Sequence, residues 1–159
     1  MDKLFLILGE GGHTTELLVL ADLLGDGYEY AYLLVEGDEL SARRIRRPGP
    51  LYRVPRVREK AHNLPRDAWR TLQCAWRSWQ ALRHARPAAV ISSGPGMAVP
   101  ACLLARLMGI PLIYVETGSR VRRLSLSGRL VYPFADLFFV QWPELAARYP
   151  RAVYAGRLV

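Results

Sequence analysis

The sequence predicts an α/β protein built on a doubly wound parallel sheet, because short apolar runs alternate with longer helical patterns along the chain. The first apolar run, residues 4–8, ends in a glycine-rich turn that leads into a helical pattern over residues 14–24. Two later apolar runs, residues 88–92 and 111–116, are also followed by glycine or small polar residues. The carboxyl ends of parallel strands meet at one edge of the sheet, and we expect ligands to bind at that edge.

Proline, glycine and the apolar period define the other elements. Residues 64–86 are predicted to form a long helix, since Pro65 opens it and Pro87 ends it. Each other strand is predicted at a run rich in β-branched, aromatic or leucine residues, and each other helix at a stretch with helical periodicity. In chain order these elements are strand 28–35, helix 37–46, strand 51–54, strand 88–92, helix 97–108, strand 111–116, helix 125–131, strand 137–141, helix 143–149 and strand 152–154. A single domain, residues 1–159, is expected from the length.

The composition indicates a folded, basic protein. Apolar residues make up 51% of the chain, which argues against intrinsic disorder. Lysine and arginine number 22 against 14 acidic residues, a net charge of +8, so we expect a polyanionic partner: nucleic acid, an anionic membrane or a phosphorylated substrate. Cys74 and Cys102 are isolated, which predicts a reduced cytosolic protein without a metal site. No apolar run approaches the ~20 residues of a membrane span, so no spanning helix and no signal peptide are expected.

The glycine-rich turn after the first strand predicts a phosphate site. Gly9, Gly11 and Gly12 precede His13 and Thr14 at the start of a helix. The first N–H groups of a helix lack partners within it, the helix dipole is positive there, and glycine lets an anion approach the backbone. A neutral imidazole beside an anion site can accept the proton of a sugar hydroxyl. The alternative for His13 is a helix-start residue that bonds its own backbone.

The same turn partly matches the dinucleotide-binding pattern Gly-x-Gly-x-x-Gly. Gly9 and Gly11 fit the pattern, but Thr14 occupies the third glycine position. Glu36, after the second predicted strand, is the residue that would hold a ribose. A self-sufficient nucleotide-binding enzyme of the Rossmann type is therefore kept as an alternative.

Two further loops are expected at the same edge of the sheet. Ser93, Gly94 and Gly96 lie between a predicted strand and a helix, where hydroxyl groups and bare backbone suit an anion. A tight turn with a helix cap is the alternative interpretation. The third loop runs from Glu116 to residue 123 and contains Arg120, a candidate for a charge-assisted contact with phosphate.

The predicted helix over residues 64–86 combines aromatic and basic residues. Its apolar residues fall within one arc of about 140 degrees on a helical wheel. They are Trp69, Leu72, Ala75, Trp76, Trp79 and Leu82, with Arg66, Arg70, Arg77 and His84 beside them. One interpretation is a stripe packed on the sheet. The other is a helix lying in a membrane interface, where tryptophan and arginine are favoured.

Residues 43–60 form the most basic window of the chain, with seven arginines and one lysine against Glu59 alone. Such a window attracts anionic lipid, by about 1 kcal/mol per basic residue near the surface. The alternative is a solvated loop.

Several blocks of the sequence, taken together, resemble one family. The blocks are Gly9-x-Gly11-Gly12-His13-Thr14-x-Glu16-Leu17, ISSGPG at residues 91–96, YVETGSRV at 114–121, LSLSGRL at 124–130, QWPEL at 141–145 and VYAGR at 153–157. Over essentially its whole length the chain closely resembles the acceptor-binding, membrane-recruiting subunit of the two-part UDP-GlcNAc transferase of dolichol-linked oligosaccharide synthesis. Bacterial relatives of that subunit serve exopolysaccharide and capsule synthesis.

The resemblance implies a Rossmann-like domain equivalent to the N-terminal half of a GT-B glycosyltransferase. That half binds the lipid-linked acceptor, and a separate donor-binding subunit holds the UDP-sugar. The peptidoglycan GlcNAc transferase is similar in its own N-terminal half, with a Gly-Gly-His loop and a glutamate that match His13 and Glu116. Inverting transfer to a polyprenyl-diphosphate-linked sugar is therefore expected.

The residues and the resemblance together give the expected site. His13 orients or deprotonates the attacking hydroxyl, and Glu116 either orients His13 or is itself the base. The acceptor phosphate is expected to contact Gly9, Gly11, Gly12, Thr14, Ser93, Gly94, Gly96 and Arg120. The membrane candidates are Trp69, Arg70, Trp76, Arg77 and Trp79. No metal is expected, and no cofactor apart from the UDP-sugar donor, which the partner mainly binds.

Eukaryotic members of this family carry an N-terminal membrane anchor, whereas Met1 stands directly before the first predicted strand. Attachment is therefore expected to be peripheral, at the cytoplasmic face of the membrane. The chain ends at Val159, where a second GT-B domain would begin, so the donor half is expected on a separate polypeptide that covers the strand-end cleft and the terminus near Leu158. A non-catalytic membrane scaffold and a nucleic-acid-binding module are kept as alternatives, although the basic residues form no recognisable reading motif.

Overall fold

Seven parallel strands form one sheet in the part of the chain that this computed structural model describes, residues 1–9, 11–57 and 64–158. The strands are β1 (Lys3–Ile7), β2 (Glu29–Val35), β3 (Leu51–Val54), β4 (Ala89–Ser92), β5 (Leu112–Val115), β6 (Leu137–Val140) and β7 (Ala152–Tyr154). The helices are α1 (Gly12–Leu24), α2 (Glu39–Arg43), α3 (Leu64–Ala85), α4 (Ala98–Leu107), α5 (Leu126–Val131) and α6 (Pro143–Arg148), and a 3₁₀ turn, Gly25–Gly27, follows α1. The predicted α/β fold class is confirmed.

The strand order is β3-β2-β1-β4-β5-β6-β7. β2 and β3 follow β1 on one side of the sheet, and β4 to β7 lie in order on the other side. β1 and β4 are neighbours at the topological switch point, and Ile7 pairs with Ser92 at their carboxyl ends. α1 follows β1 on one face of the sheet, and α4 follows β4 on the other. The loops after β1 and β4 therefore lead to opposite faces of the sheet and leave a crevice between them. Doubly wound folds bind their ligands in this crevice.

The two faces of the sheet are covered unequally. α3, α4, α5 and α6 pack on one face, around core residues such as Phe5 and Leu33. α1 and α2 pack on the other face, near Leu6. Farther along that second face, Leu137 on β6 and Val153 on β7 are 47% and 45% exposed. Parallel sheets normally carry helices on both faces, so the β5–β7 end of this face is an uncovered apolar surface.

Three of the six residues of the apolar stripe on α3 do not pack on the sheet. Trp69, Leu72 and Trp76 are 62%, 64% and 58% exposed. Apart from Leu82, the buried residues of α3 are small: Cys74, Ser78, Ala81 and Ala85. The buried residues of the neighbouring helix α4 are small as well, namely Ala98, Ala101, Cys102 and Ala105. The interpretation in which this stripe packs on the sheet is therefore wrong for Trp69, Leu72 and Trp76, because small side chains let α3 and α4 approach more closely than these residues would.

Helix ends differ from the sequence prediction where glycine and capping residues act. α2 is shorter than the predicted helix over residues 37–46, because Asp38 caps it by accepting a hydrogen bond from Ser41 N at 3.0 Å. Gly37, with a φ of 85°, precedes that cap and cannot belong to the helix. α1 begins at Gly12 rather than Thr14. Glycine has a low helix propensity, which hides such an extension from a sequence-based prediction.

Gly94→Ala is expected to lower stability more than a glycine replacement in open space. Gly94 has a φ of 88°, and an added Cβ would contact the Tyr114 hydroxyl. The left-handed backbone costs alanine about 1 kcal/mol, and overpacking adds typically ~1–3 kcal/mol. Gly109→Ala is the control, since Gly109 has a φ of 72° but no atom within 4 Å of an added Cβ. Thermal unfolding measures the difference in Tm between the two variants, and each kcal/mol of lost stability lowers Tm by about 2–4 °C in a protein of this size. Equal falls in Tm would contradict the close contact.

Candidate functional site

A cavity of about 610 Å³ opens at the carboxyl edge of the sheet, next to the switch point between β1 and β4. Gly9 and His13 line it from the β1–α1 loop, and Pro95 and Gly96 line it from the β4–α4 loop. The other lining residues are Val35, Arg56, Val57, Thr71, Met97, Val99, Pro100, Leu126, Ser127 and Leu130. The cavity is therefore mainly apolar, with a few polar groups.

The glycines of the β1–α1 loop have two different roles. An ideal Cβ on Gly9 would lie 2.7 Å from Pro95 Cβ, so a glycine here lets the loops after β1 and β4 touch. An added Cβ on Gly11 or Gly12 meets nothing within 4 Å, and Gly11 is the N-cap of α1 with a φ of 65°. Because the cap residue is glycine, no cap side chain occupies the N–H groups of the first turn. This open helix N-terminus suits an anion, and its binding of phosphate stays a prediction.

Thr14 stabilises the β1–α1 loop through a buried hydrogen bond. Its side chain is buried, and its hydroxyl donates to the carbonyl oxygen of Gly9. The hydroxyl of Ser41, on α2, lies 3.1 Å from the Thr14 hydroxyl. Since the Thr14 hydroxyl is already bonded, the predicted contact of Thr14 with phosphate is limited to its backbone N–H group.

His13 is half-buried and borders the cavity. Its carbonyl oxygen accepts a hydrogen bond from the Ser93 hydroxyl at 3.1 Å, which ties the first turn of α1 to the loop after β4. Its Nδ1 atom is buried and has no hydrogen-bond partner among the residues that the structure describes. An imidazole with a free ring nitrogen can take a proton from a hydroxyl within hydrogen-bond reach. The geometry is compatible with the predicted role of His13, which stays a prediction.

The loop after β4 differs from the prediction at two residues. The side chain of Ser93 is buried and bonded to His13. The N–H group of Gly94 donates to Ser92 Oγ at 3.2 Å. Gly96 is exposed, has open space where a Cβ would stand, and lines the cavity. The Ser93 hydroxyl and the Gly94 N–H group thus stabilise the turn itself, and of the three predicted phosphate contacts in this loop only Gly96 lines the cavity.

Glu116 lies directly after β5 and is fully buried. Its Oε2 atom accepts hydrogen bonds from Ser125 N at 3.0 Å and Ser125 Oγ at 3.1 Å, and its Oε1 atom accepts one from Thr117 N at 3.1 Å. Burial raises the pKa of the Glu116 carboxyl, while these hydrogen bonds and the Arg120 charge act in the opposite direction. The hydrogen bonds of the Glu116 carboxylate go to Ser125 and Thr117, not to His13, and both predicted roles of Glu116, orienting His13 or acting as the base, stay predictions. Of the two predicted catalytic residues, only His13 lines the cavity.

Glu16 is a buried acid to which the sequence prediction assigns no role. It lies on α1 and is only 3% exposed. Its Oε1 atom accepts hydrogen bonds from Gly118 N at 2.8 Å, Thr117 Oγ1 at 3.1 Å and Gln141 Nε2 at 3.2 Å. One carboxylate oxygen thus joins α1 to the loops after β5 and β6, and the first of these loops continues to the exposed Arg120. The sequence contains one signal for this role, an acid beside the buried face of a mostly apolar helix, where a charge needs partners.

The residues expected for a dinucleotide are engaged elsewhere. Glu36 follows β2 and forms an ion pair with Arg77 on α3 at 3.2 Å. Thr14 fills the third glycine position with a bonded hydroxyl. Both observations disfavour a dinucleotide site. Within residues 1–9, 11–57 and 64–158, no three His, Cys, Asp or Glu side chains are grouped to hold a metal ion.

The exposed face of α3 carries three of the five predicted membrane candidates, Trp69, Trp76 and Arg77, while Arg70 and Trp79 are half-buried. Trp69 is exposed, and the exposed ring of Trp76 stacks on half-buried Trp79 with centroids 4.9 Å apart. The Arg83 guanidinium lies 5.0 Å from the centroid of the Trp79 ring. Among the described residues, α3 included, no helix has the length and apolar character needed to cross a membrane.

Part of the basic window over residues 43–60 is neutralised within the protein. Four ion pairs engage three of its arginines: Arg46–Asp22, Arg47–Asp22, Arg47–Asp26 and Arg53–Glu39. Residues 58–60 lie outside the described residues. The window therefore offers less positive charge to lipid than its composition indicates.

Solved structures share this architecture. MurG of Acinetobacter baumannii matches 98% of this chain with a TM-score of 0.74 and 18% identity. The UDP-N-acetylglucosamine 2-epimerase of Rickettsia bellii matches 99% with a TM-score of 0.75 and 15% identity. This chain spans about 45% of the length of each of these two structures. The likeness shows the fold alone, and it confirms the predicted Rossmann-like sheet equivalent to one half of a GT-B glycosyltransferase.

Curated relatives are closer in sequence. The UDP-N-acetylglucosamine transferase subunit ALG14 of Homo sapiens is 36% identical over 179 residues, which cover 99% of this chain and 83% of that protein. The model of the family described as oligosaccharide biosynthesis protein Alg14-like matches residues 4–158. The resemblance found in the sequence blocks is confirmed, and with it the expectation of a glycosyltransferase subunit. The chain belongs to the Alg14-like family of oligosaccharide biosynthesis proteins.

Proposed function

We propose that this protein is the acceptor-binding subunit of a heteromeric, inverting glycosyltransferase. It binds a polyprenyl-diphosphate-linked sugar at the cytoplasmic face of the membrane and recruits a separate subunit that binds the UDP-sugar donor. The observation that carries the proposal is the open N-terminus of α1, where exposed Gly11 and Gly12 adjoin His13 at the wall of a mainly apolar cavity. Family membership, and relatives named as UDP-N-acetylglucosamine transferase subunits, support this reaction class.

The cavity fits the chemistry of a lipid diphosphate, in which an anionic head is joined directly to an apolar chain. In the proposed site the backbone N–H groups near Gly11 and Gly12 hold the anionic head. Arg120 is exposed and lies outside the cavity lining, and in the proposal its guanidinium reaches the head from the loop after β5. The apolar lining contacts the first units of the chain, through Val57, Met97, Val99, Pro100, Leu126 and Leu130. A soluble sugar or nucleotide gains little from such a lining, so the apolar walls favour a lipid-linked acceptor.

His13 acts as the general base in the proposed reaction. The acceptor hydroxyl oxygen attacks the anomeric carbon of the donor, and its proton passes to a ring nitrogen of His13. The new C–O bond forms opposite the leaving group, and the bond from the anomeric carbon to UDP breaks with its electron pair on UDP. The anomeric configuration is inverted, and the imidazolium later returns its proton to water.

α3 supports attachment to an anionic membrane surface. Its exposed Trp69 and Trp76 are of the residue type favoured at the depth of lipid headgroups. A contiguous apolar patch on a folded protein usually marks an interaction site. α3 also lines the cavity at Thr71, so a membrane bound to the exposed face of α3 lies near the site that receives the acceptor.

The uncovered end of the sheet supports a partner subunit. An apolar groove of about 350 Å³ lies there, and Leu20, Leu24, Ile113, Phe139 and Leu158 contribute to its lining. Because parallel sheets normally carry helices on both faces, we expect the donor-binding subunit to place an apolar segment in this groove. Both the groove and the membrane face of α3 can then be occupied together, since they lie on opposite faces of the sheet.

His13→Ala is expected to reduce sugar transfer by about 10²–10⁴-fold, the usual contribution of a general base. The assay follows labelled UDP-sugar transfer to polyprenyl-diphosphate-sugar in liposomes, with this chain and its donor-binding subunit mixed. His84→Ala is the matched control, because His84 is exposed, packs on Tyr52 and does not line the cavity. The fold and subunit association should be unchanged in both variants.

Two results of that assay would contradict the proposal. Transfer at the unmodified rate by His13→Ala would favour a non-catalytic scaffold. Transfer by this chain without a second subunit would show that it contains a complete site of its own.

The double variant Trp69→Ser, Trp76→Ser is expected to bind anionic vesicles at least about tenfold more weakly, because burying a large apolar side chain contributes roughly 1.5–3 kcal/mol. Co-sedimentation with phosphatidylglycerol-containing vesicles measures the change. Leu107→Ser is the control, since Leu107 on α4 is 83% exposed. An equal loss in the control, or no loss in the tryptophan variant, would exclude α3 as the membrane surface.

Val153→Asp is expected to prevent association with the donor-binding subunit while leaving the fold intact. Val153 is 45% exposed and pairs with Phe139 in the register, so it lies on the uncovered face. Tyr154→Asp is the matched control, because Tyr154 is also 45% exposed but points to the opposite face of the same strand. Size-exclusion chromatography of the mixed subunits measures association. A complex that survives Val153→Asp, or that is lost in both variants, would refute this docking face.

A further inference from the structure

The peptide groups around Gly118 are held by side chains from two different elements. The N–H group of Gly118 donates to Glu16 Oε1 at 2.8 Å, and its carbonyl oxygen accepts from Trp142 Nε1 at 2.7 Å. Glu16 belongs to α1, and Trp142 is the N-cap residue of α6. An ideal Cβ on Gly118 would lie 3.3 Å from Gln141 Oε1 and 3.4 Å from Glu16 Oε1, so glycine lets these side chains close on the backbone. Glu16 and Trp142 together form the Gly118 clamp.

We propose that Glu16 and Trp142 are positioning residues for sugar transfer. The Gly118 clamp fixes the loop over residues 118–123 so that Arg120 meets the diphosphate of the acceptor. The inference rests on the proposed function and adds to it two residues that act through the loop without touching the substrate.

The loop needs an anchor because residues 119–123 are exposed. The clamp holds its beginning, and the N–H group of Arg120 donates to the Thr117 carbonyl oxygen at 3.0 Å. The Thr117 hydroxyl in turn donates to Glu16 at 3.1 Å. Ordering a flexible loop around an anion costs conformational entropy, and a loop that is already fixed loses less on binding. The clamp therefore acts on the affinity for the acceptor.

The hydrogen bonds of the Glu16 carboxylate are distributed unequally between its two oxygens. The Oε2 atom of Glu16 is buried and has no hydrogen-bond partner within the described ranges. Leaving a buried polar atom unbonded costs about 1–3 kcal/mol. The three donors to Oε1, from Thr117, Gly118 and Gln141, all belong to the loops after β5 and β6. What this acid stabilises is the position of those loops relative to α1.

The clamp is continuous with the C-terminal segment. Gln141 Nε2 donates to Glu16 at 3.2 Å, and Gln141 Oε1 accepts from Leu158 N at 2.9 Å. The Arg157 guanidinium lies 4.5 Å from the centroid of the Trp142 ring. Leu158 lines the groove that the donor-binding subunit is proposed to fill. Trp142 therefore contacts the segment that adjoins the expected subunit interface, and Glu16 is connected to the same segment through Gln141.

Three variants of the full chain test the clamp: Glu16→Ala, Glu16→Gln and Trp142→Phe. On the chain alone, hydrogen exchange of residues 117–123 and the affinity for inorganic pyrophosphate are measured. With the donor-binding subunit added, the acceptor KM and the donor KM are measured. Glu16→Ala is expected to speed hydrogen exchange in the loop and to raise the pyrophosphate Kd and the acceptor KM, each by about tenfold. This factor is the equivalent of one lost charge-assisted hydrogen bond, and the donor KM should be unchanged. Glu16→Gln keeps a carbonyl acceptor for Gly118 and should restore most of each value, and Trp142→Phe should move them in the direction of Glu16→Ala.

Leu82→Ala is the control for a general loss of stability, because Leu82 is buried in α3 on the other face of the sheet. It should leave the ratio of the acceptor KM to the donor KM unchanged. Unchanged exchange and pyrophosphate affinity in Glu16→Ala would overturn the proposal. Faster exchange with unchanged pyrophosphate affinity and acceptor KM would also overturn it, since the clamp would then be only structural. If Glu16→Ala does not fold, Trp142→Phe decides by the same readouts, and values equal to the unmodified chain overturn the proposal.

A complex of the unmodified chain that transfers no sugar would refute the proposed function. Exchange and pyrophosphate binding, measured on the chain alone, would still decide whether the clamp positions the loop. The two failures are therefore distinguishable.

Discussion

The pairing of β1 with β4 is the constraint on which the site depends. It places Ile7 beside Ser92 at the carboxyl edge and sends the following helices to opposite faces of the sheet. The crevice between them is narrowed where Gly9 touches Pro95, a contact that leaves no room for a Cβ on residue 9. The Ser93 hydroxyl, in the β4–α4 loop, donates a hydrogen bond to the His13 carbonyl oxygen in the first turn of α1 and so holds the same two loops together. The open helix N-terminus and the cavity wall adjoin because of this arrangement, so a larger residue at position 9 would separate them.

The distribution of small and large side chains gives the protein three separate apolar surfaces. The side of α3 that packs against α4 consists mainly of small residues, and Trp69 and Trp76 are exposed to solvent. The cavity takes its apolar walls from α4 and α5, among them Met97 and Leu126. The third surface, near Phe139, lies on the opposite face of the sheet from α3. The proposed membrane, lipid acceptor and protein partner would therefore not compete with one another, because each is assigned to a different surface.

Local signals predict the elements of this fold well, since the type of an element depends on neighbours in the chain. Pro65 and Pro87 delimit the long helix, and the glycine turn after β1 identifies the helix N-terminus. Contacts between distant residues are what the sequence does not reveal. The partners of Glu16 lie more than 100 residues away, and Glu116 bonds Ser125 rather than His13. Periodicity identified one apolar arc on α3, but which arc is buried depends on how closely α4 can approach, a property of two helices together.

The hydrogen bond between Leu158 N and Gln141 Oε1 has a consequence for assembly. Leu158 lines the groove that the proposed partner would fill. Gln141 bonds Glu16, one of the two residues of the Gly118 clamp that is proposed to fix the loop over residues 118–123. If a partner that fixes Leu158 tightens acceptor binding by some factor, the acceptor must tighten partner binding by the same factor, because free energy around a closed thermodynamic cycle sums to zero. The proposed enzyme would then assemble most firmly where its lipid substrate is present. In such an enzyme the acceptor is also the signal that completes the active site.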